Sequence, residues 1–333
     1  MPAMDVFNSD AFSMRSLTAA INVPQYAPTR IAELGIFEEQ GVTTNKVSVE
    51  RLAQPVSLVQ STTRGGAPAE VANPMRTMYD LNTVRVALGD TIYADEILGV
   101  RNFGSEDQMQ SLAEEVNRRN QAMAANIAAT IEFQRFSALK GNTLDGDGTT
   151  SLVDTSAVFG MSDGSQIIID TDGSGAPLRT AVSSVIRAIE SGLDGRPYSS
   201  IHAFVDAAFF DNLLAHAEIR DSWKYTQGAA LRERTAGRFI DFAGVMFEEY
   251  RPLAGTTPLS TGTGIAFPIG AGIFQTRFGP SDSWEAVGTM GLPMYARQYA
   301  DVEGDRWRRL EVQTNVLNVC TDSSCVIPLD DGQ

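Results

Sequence analysis

The longest regular pattern of hydrophobic and polar positions lies between Ser105 and Gly141. Apolar residues recur there every three or four positions, which indicates one face of an α-helix. These positions are Met109, Leu112, Val116, Met123, Ile127, Ile131, Phe136 and Leu139. Ser105 and Gln108 have the spacing of a capping box, and Gly141 is typical of the left-handed position after a helix C-terminus. The pattern predicts one helix over residues 105–141, roughly 50 Å long at about 1.5 Å per residue.

Two stretches before this helix alternate with a period of two, the pattern of β-strands. One follows Thr43, and the other spans Thr83 to Leu88. Between them, the string Arg64-Gly65-Gly66-Ala67-Pro68 favours a turn or flexible loop. An isolated two-stranded hairpin is marginal in water, and this one has few apolar residues of its own to bury. We therefore predict a long two-stranded arm that a second subunit covers.

The rest of the chain predicts a mixture of helices and strands. Met1 to Gln40 has scattered apolar residues and two prolines, and we expect an arm lying on another surface. Residues 142–172 are rich in Gly, Asp, Ser and Thr and predict loops with a hairpin, including a strand at 167–169. A helix follows Pro177 and ends near Gly192, and Asp206 caps a shorter helix. Further strand patterns occur at 201–205, 243–247, 265–267, 273–276, 295–299 and 312–316.

Composition narrows the class of protein. The 333-residue chain is 43% hydrophobic, which suffices for proper cores, and its net charge is −15. This acidity argues against a general affinity for nucleic acid or anionic membranes. No apolar run approaches the roughly 18 residues of a membrane span, and Met1 to Asp10 does not resemble a signal peptide. Cys320 and Cys325 form neither a disulfide framework nor a zinc signature, so we expect reduced thiols.

One string matches a hydrolase motif. Gly160 to Gly164 reads G-x-S-x-G, but a nucleophile elbow must follow a strand and open a helix. Here a strand pattern at Ile167–Ile169 follows instead. His202 and His216 both lie amid apolar residues, which favours structural roles over catalysis. We predict no catalytic residue.

Two polar clusters also have structural interpretations. Asp145 to Thr149 begins like a calcium loop, but Thr150 stands where that loop needs Gly and Ser156 where it needs Glu. A polar turn is the better interpretation. Arg306-Trp307-Arg308-Arg309 is the densest basic cluster, and a subunit contact or solvated strand face is preferred over nucleic-acid binding. We predict no cofactor and no metal.

The order of these segments resembles the lambda-type major capsid protein family of tailed phages, the phage capsid E family, which has the Hong Kong 97 capsid fold. The resemblance spans nearly the whole chain and depends on the order and spacing of short strings. These strings are Thr44-Asn45-Lys46-Val47-Ser48-Val49, Arg64-Gly65-Gly66, Phe136-Ser137-Ala138-Leu139-Lys140-Gly141, Gln275-Thr276-Arg277 within Gly270 to Gly279, and the final strand pair Tyr299 to Val319.

The resemblance implies an α+β fold and a division of the chain into five segments. These are an N-terminal arm (1–40), an extended loop (41–95), a peripheral domain with the spine helix 105–141 (96–174), an axial domain (175–283) and return strands of the peripheral domain (284–333). The expected inter-subunit contacts lie at the arm and at the basic cluster. They are Lys46, Arg64, Gly65, Gly66, Arg306 and Arg308.

The same resemblance implies function by assembly. The protein is expected to form hexamers and pentamers of an icosahedral head shell that encloses phage DNA without reading its sequence. Some relatives crosslink a Lys to an Asn, but the three lysines here have no matching position, and we expect no crosslink. Met1 to Gln40 is too short for a cleaved scaffolding segment. A separate scaffolding protein, a portal and a decoration protein are therefore expected partners, with assembly in the bacterial cytoplasm.

Two alternatives remain open. An encapsulin-like compartment would have the same fold and would hold enzymes rather than a genome. A cytoplasmic serine hydrolase would use Ser162 as its nucleophile, and its activity would vanish in Ser162→Ala.

Overall fold

The structure is a computed structural model that describes residues 14–21, 30–53, 61, 64–65, 75–93, 96, 108–172, 176–225, 239–251, 259–301 and 306–332. Its helices are α1 (Met14–Ile21), α2 (Arg30–Glu33), α3 (Gln108–Leu139), α4 (Thr155–Phe159), α5 (Leu178–Leu193), α6 (Ala207–Ala215) and α7 (Ala217–Tyr225). Its strands are β1 (Glu38–Gly41), β2 (Lys46–Ala53), β3 (Met75–Asn82), β4 (Val84–Tyr93), β5 (Asn142–Leu144), β6 (Ser151–Asp154), β7 (Ile167–Ile168), β8 (Ser200–Val205), β9 (Phe239–Phe242), β10 (Val245–Glu249), β11 (Thr263–Ile269), β12 (Phe274–Phe278), β13 (Tyr295–Ala300), β14 (Trp307–Cys320) and β15 (Ile327–Asp330). Short 3₁₀ turns lie at Trp284–Ala286 and Ser323–Cys325.

The long helix α3 confirms the prediction from the apolar stripe. Its 32 residues bury the stripe from Val116 to Leu139, and Gly141 takes the predicted left-handed conformation with φ +82°. The predicted cap at Ser105 and the side chains of Met109 and Leu112 lie outside the described residues.

Contacts divide the chain into two units, which we call unit 1 (1–47, 81–134 and 276–318) and unit 2 (48–80, 135–275 and 319–333). Unit 1 is built on a five-stranded sheet in which β14 pairs with both β4 and β13. The core lies between the sheet and two helices, α1 and α3. Its members are Leu17, Ile21, Ile92, Val116, Met123, Ile127, Ile131, Phe278, Ala296, Leu310, Val312 and Val316.

The N-terminal segment differs in part from the expected arm. Helix α1 packs on β13 of its own chain, and Leu17 and Ile21 lie in the core of unit 1. The backbone N–H of Ala296 donates to Oγ1 of Thr18 at 3.1 Å. Leu17 and Ile21 lie four positions apart on one helical face, so this short helix can bury an apolar stripe.

The strand partners in the arm also differ from the prediction. Val84 to Leu88 does form a strand, but β4 pairs with β14 rather than with β2. The second strand of the arm is β3, which the sequence analysis did not predict. Thr83 ends the arm because its N–H and hydroxyl both donate to the carbonyl of Asn45, after which the chain enters the unit 1 sheet.

Unit 2 contains a six-stranded sheet in the order β7-β15-β11-β8-β10-β9. β8 runs parallel to β10, and β15 runs parallel to β7. β15 was not predicted, and it places the end of the chain between β11 and β7. For this reason residues 319–333 group with unit 2, whereas the expected segment limits joined them to the return strands.

Local turns explain the smaller differences in unit 2. The strand predicted at 243–247 begins at Val245 because Ala243 and Gly244 have positive φ and form the turn after β9. A hairpin was predicted within residues 142–172 without exact limits, and residues 142–154 form one. The short helix α4 follows because the Asp154 carboxylate accepts from the N–H groups of Ser156 and Ala157, an N-cap that the loop prediction missed.

Candidate assembly surfaces

Hydrogen bonds fix the base of the β2–β3 arm. Besides the bonds of Thr83 to Asn45, the Ser48 hydroxyl donates to Oδ1 of Asp80 across the two strands at 2.6 Å. Lys46, an expected contact residue, is exposed at the start of β2. The base of the arm is therefore fixed by hydrogen bonds and carries an exposed cation.

Part of the arm is covered by its own chain. Val47 and Val49 are buried, and Tyr79 of β3 meets Phe159 of α4 edge-on with ring centroids 4.8 Å apart. Met78, on the opposite side of the same strand, is exposed. The apolar residues at the base of the arm thus have intramolecular partners, which the sequence analysis did not foresee.

The tip of the arm is described at Arg64 and Gly65. Both residues are exposed in a turn, and Gly65 has φ +88°, a conformation that favours glycine. An added Cβ at Gly65 would meet nothing within 4 Å, so the space beside this residue is open. Gly66 lies outside the described residues.

Strand alternation separates the arginines of the basic cluster. Arg308 is only 8% exposed and lies on the core side of β14 with Leu310, whereas Arg309 is exposed on the other side. Arg306 is exposed just before β14, and its N–H donates to the Asp301 carboxylate at 3.3 Å. Arg309 therefore takes the outward place expected of Arg308, because side chains of a strand alternate between its faces.

The face of the unit 1 sheet opposite α1 and α3, which we call the outward face, is rich in aromatic and arginine side chains. Register places Tyr93 beside Trp307, and Arg309 beside Tyr299. Arg297 stacks over the Tyr299 ring at 5.0 Å. Tyr, Trp and Arg are the residue types enriched in protein interfaces.

A polar network borders the outward face. Nε of Arg85 donates to Gln313 at 2.7 Å and lies 3.2 Å from the Asp282 carboxylate, and Arg85 also pairs with Glu311. The amide of Gln313 donates to Asp282 at 2.8 Å. That hydrogen bond, followed by the charges of Arg85 and Arg297, lowers the pKa of Asp282 below its usual value.

A second network joins the spine helix to β4. The Arg119 guanidinium lies 2.8 Å from Glu115, 3.2 Å from Asp90 and 2.7 Å from Glu96. Hydrogen bonds from Arg118 and then Arg119 lower the pKa of Glu115 from 4.5 to about 2. One arginine thus links α3 to β4 and to Glu96, which follows that strand.

The hydrolase string lacks the geometry of a nucleophile elbow. Gly160 ends helix α4 in a left-handed conformation, and Ser162 lies in an irregular segment that leads to β7. An elbow needs a strand before the serine and a helix after it. His202 is buried and bonds to Glu248 at 2.9 Å, which gives it a structural partner.

The calcium-like string forms the predicted polar turn. The Asp147 carboxylate accepts from the Thr150 hydroxyl at 2.6 Å and from the N–H groups of Thr149 and Thr150, and these bonds hold its pKa well below the usual range. Across the described residues, no three His, Cys, Asp or Glu side chains are grouped to hold a metal ion. Within the same ranges, no helix has the length and apolar character to cross a membrane.

Cys320 and Cys325 are both buried, and neither forms a disulfide within the part of the chain that the structure describes. Burial raises the pKa of the Cys320 thiol far above its usual value, which keeps it protonated and unreactive.

Two surfaces of the molecule were not predicted from the sequence. The outward face could have been found by assigning Tyr93, Trp307 and Tyr299 to one side of paired strands, but this needs the register. The loop at Trp284 carries exposed apolar side chains with neither helical nor strand periodicity, so no pattern marked it.

Comparison with known proteins identifies relatives over most of the chain. The family model described as phage major capsid protein E matches residues 13–330. The major capsid protein of Pseudomonas phage KPP10 is 25% identical over 321 residues, covering 86% of this chain and 88% of the relative. The major capsid protein of Salmonella phage Felix O1 is 23% identical over 350 residues, covering 93% and 94%.

Solved structures share the fold at low identity. The capsid of Myoviridae phage XM1 has a TM-score of 0.54 at 12% identity, covering 93% of this chain and 94% of that chain. A putative capsid protein of a prophage from E. coli CFT073 has a TM-score of 0.53 at 13% identity, covering 95% and 98%. At these identities the likeness shows a common fold.

Proposed function

The chain belongs to the phage major capsid protein E family and is a major capsid protein of a phage head shell, and from this premise we propose that its β2–β3 arm lies across a neighbouring copy. The α+β fold of Hong Kong 97 type, predicted from the order of segments, is confirmed. The protein is a component of the virion capsid. Both named relatives are phage capsid proteins, which favours a head shell over an enzyme-holding compartment.

One observation carries the proposal for the arm. Its base is hydrogen-bonded and directed by Thr83 and Asn45, while its tip at Arg64 and Gly65 is exposed and open. A two-stranded ribbon that leaves its own unit gains stability only where other surface covers it. In a closed shell every arm has a neighbouring copy to cover, and interfaces of this obligate kind bury about 2,000 Å² or more.

We propose Lys46, Arg64, Gly65, Gly66 and Arg306 as contact residues of the arm and the β14 start. Arg309 replaces Arg308 in this set because its side chain points outward. Arginine at such places can form bidentate hydrogen bonds with the carboxylates of an acidic neighbour. With a net charge of −15, every neighbouring copy offers carboxylates in excess.

The division of the chain into unit 1 and unit 2 supports a proposal for the two capsid domains. We propose that unit 1, with the first part of the spine helix and the five-stranded sheet, is the peripheral domain. Unit 2, with the six-stranded sheet, would be the axial domain that clusters in hexamers and pentamers. Relative to the expected limits, residues 135–174 and 319–333 then move to the axial domain, and residues 276–283 move to the peripheral domain.

Because the proposed activity is assembly, we also expect other proteins of the phage particle to act as partners. We propose a separate scaffolding protein, a portal and a decoration protein as partners, assembly in the host cytoplasm, and no catalytic role. The acidic chain suits a container that holds DNA without binding it. The irregular segment around Ser162 supports the view that Ser162→Ala removes no activity.

The test is electron microscopy and sizing of the purified protein, alone and with the product of its upstream gene. The expected result is closed shells in at least one condition. An arm variant with Arg64→Glu should remain folded and assemble less, with Arg187→Glu, an exposed arginine outside the arm, as the matched control. Small compact particles under both conditions for the unaltered chain would refute assembly as its function.

A further inference from the structure

Exposed apolar side chains concentrate in one short loop of unit 1. Among the described residues, nine large apolar side chains are exposed, and four of them fall in residues 284–292, which we call the apolar loop. These four are Trp284, Val287, Met290 and Leu292, with Trp284 93% exposed. Exposed tryptophan at this level is costly in water, and clustered apolar residues mark interaction sites.

The apolar loop is held in place by its own backbone. The N–H of Thr289 donates to the carbonyl of Ala286 at 3.1 Å, and the N–H of Gly291 donates to that of Val42 at 2.9 Å. The N–H of Leu292 donates to the Tyr295 hydroxyl at 2.8 Å. A Cβ on Gly291 would lie 1.9 Å from the Phe278 carbonyl, so the backbone packs closely there. The loop therefore presents its side chains in a fixed arrangement, which lowers the entropy cost of binding.

The charge of the loop excludes a polyanionic partner. Residues 281–294 contain Asp282 and Glu285 and no lysine or arginine. DNA or an anionic membrane would need cations at the contact to displace its counterions. The loop suits an apolar protein surface instead.

The loop is continuous with the outward face. Asp282, two residues before Trp284, is held by Arg85 of β4 and Gln313 of β14 beside that face. Together, the four exposed side chains offer roughly 500 Å², more than half of the about 800 Å² that each partner contributes to a standard interface. The outward face, with its tyrosines and arginines, would have to supply the remainder.

We propose that the apolar loop docks on a second copy of this chain in the shell, with Trp284 as the central anchor. The proposal rests on the proposed assembly and adds the surface that one pair of copies uses. A second copy is the occupant because each subunit of a closed shell has a neighbour for every such loop. The contact is heterologous, since a loop-to-loop contact would bring two Glu285 carboxylates together.

The first test is hydroxyl-radical labelling followed by mass spectrometry on the unaltered protein. Trp284 and Met290 are compared between unassembled subunits and shells made of this chain alone. The expected result is a severalfold loss of labelling at both residues in shells, while exposed Met246 of unit 2 serves as an internal reference. Equal labelling of Trp284 in intact shells would overturn the docking proposal and leave the shell function standing. Protection that appears only when another protein is added would also overturn it.

The second test is the variant Trp284→Ser with Glu285→Gln as the matched control. Both residues are exposed, so both variants should fold with the circular dichroism of the unaltered chain. Trp284→Ser should reduce shell yield severalfold at fixed protein concentration, and Glu285→Gln should not. Unaltered yield in Trp284→Ser would overturn the proposal. Failure of the unaltered chain to form shells would instead count against the proposed function.

Discussion

Removing the Phe136 ring should destabilise the subunit because the end of the spine helix is anchored there. Phe136 is 1% exposed within unit 2. Its ring stacks on Tyr250 with centroids 4.5 Å apart and lies 6.3 Å from Phe204. Phe204 in turn contacts Phe267 of β11, so the helix end joins an aromatic cluster on the six-stranded sheet.

The expected cost of Phe136→Ala follows from this burial. A fully buried Phe replaced by Ala costs about 3–5 kcal/mol, which includes the cavity left behind. The stacked pair with Tyr250 adds a contact worth about 0.5–1.5 kcal/mol beyond area, which places the value in the upper half of that range. Phe136→Leu keeps most of the apolar volume and should cost about 1–2 kcal/mol.

The assay is urea unfolding of unassembled subunits, followed by far-ultraviolet circular dichroism and by hydrogen exchange of β8 peptides. Hydrogen exchange is needed because two units need not unfold together. Trp284→Ala is the matched control, since an exposed aromatic of similar size should change stability by less than about 0.5 kcal/mol. A loss below about 1 kcal/mol for Phe136→Ala would refute the closed aromatic core, as would equal effects of the two variants.

Two further predictions concern charged side chains. The pKa of Glu115 is lowered to about 2, so its ion pair stabilises the subunit above pH 4.5, and this stability is lost as the pH falls towards 2. Glu115→Gln should therefore flatten the pH dependence of the urea unfolding midpoint in that window. An unchanged pH dependence between pH 4.5 and 2 in this variant would contradict the pairing. His202→Leu should cost about 3–5 kcal/mol because it leaves Glu248 buried without the His202 imidazole. The double variant His202→Leu with Glu248→Leu should recover most of this loss in the same urea assay. A double variant as unstable as the single one would contradict this account.

Local periodicity accounts for the elements that were predicted well. The stripe from Val116 to Leu139 determines α3 because each apolar residue falls on one helical face, and Gly141 ends the helix through its φ. Asp206 was correctly predicted as a cap, since its carboxylate accepts from the N–H of Ala208 at 3.1 Å. In these segments the signal lies within a few residues of the structure that it specifies.

Pairing partners were harder to predict because they depend on residues distant in the chain. The alternation from Val84 to Leu88 correctly indicated a strand, but nothing local showed that β14, more than 200 residues later, is its neighbour. β15 was missed because four residues containing Pro328 give a weak strand signal, and β11 stabilises them through tertiary pairing.

At the candidate surfaces too, the features with local signals were predicted, and those that depend on distant parts of the chain were not. The tip at Arg64 and Gly65 was marked by glycines and a proline, which are local signals. The outward position of Arg309 and the exposure of Trp284 depend on which face of the sheet the core covers. A tryptophan in a sequence predicts burial by default, so its exposure could be learned only from the structure.

The most direct measurement of the central claim is a reconstruction of assembled shells by electron cryomicroscopy that traces residues 46–82. The account predicts closed shells in which the arm of each copy lies on the surface of an adjacent copy, with Arg64 in contact with that neighbour. Shells, or isolated particles, in which each arm folds back onto its own subunit would contradict it.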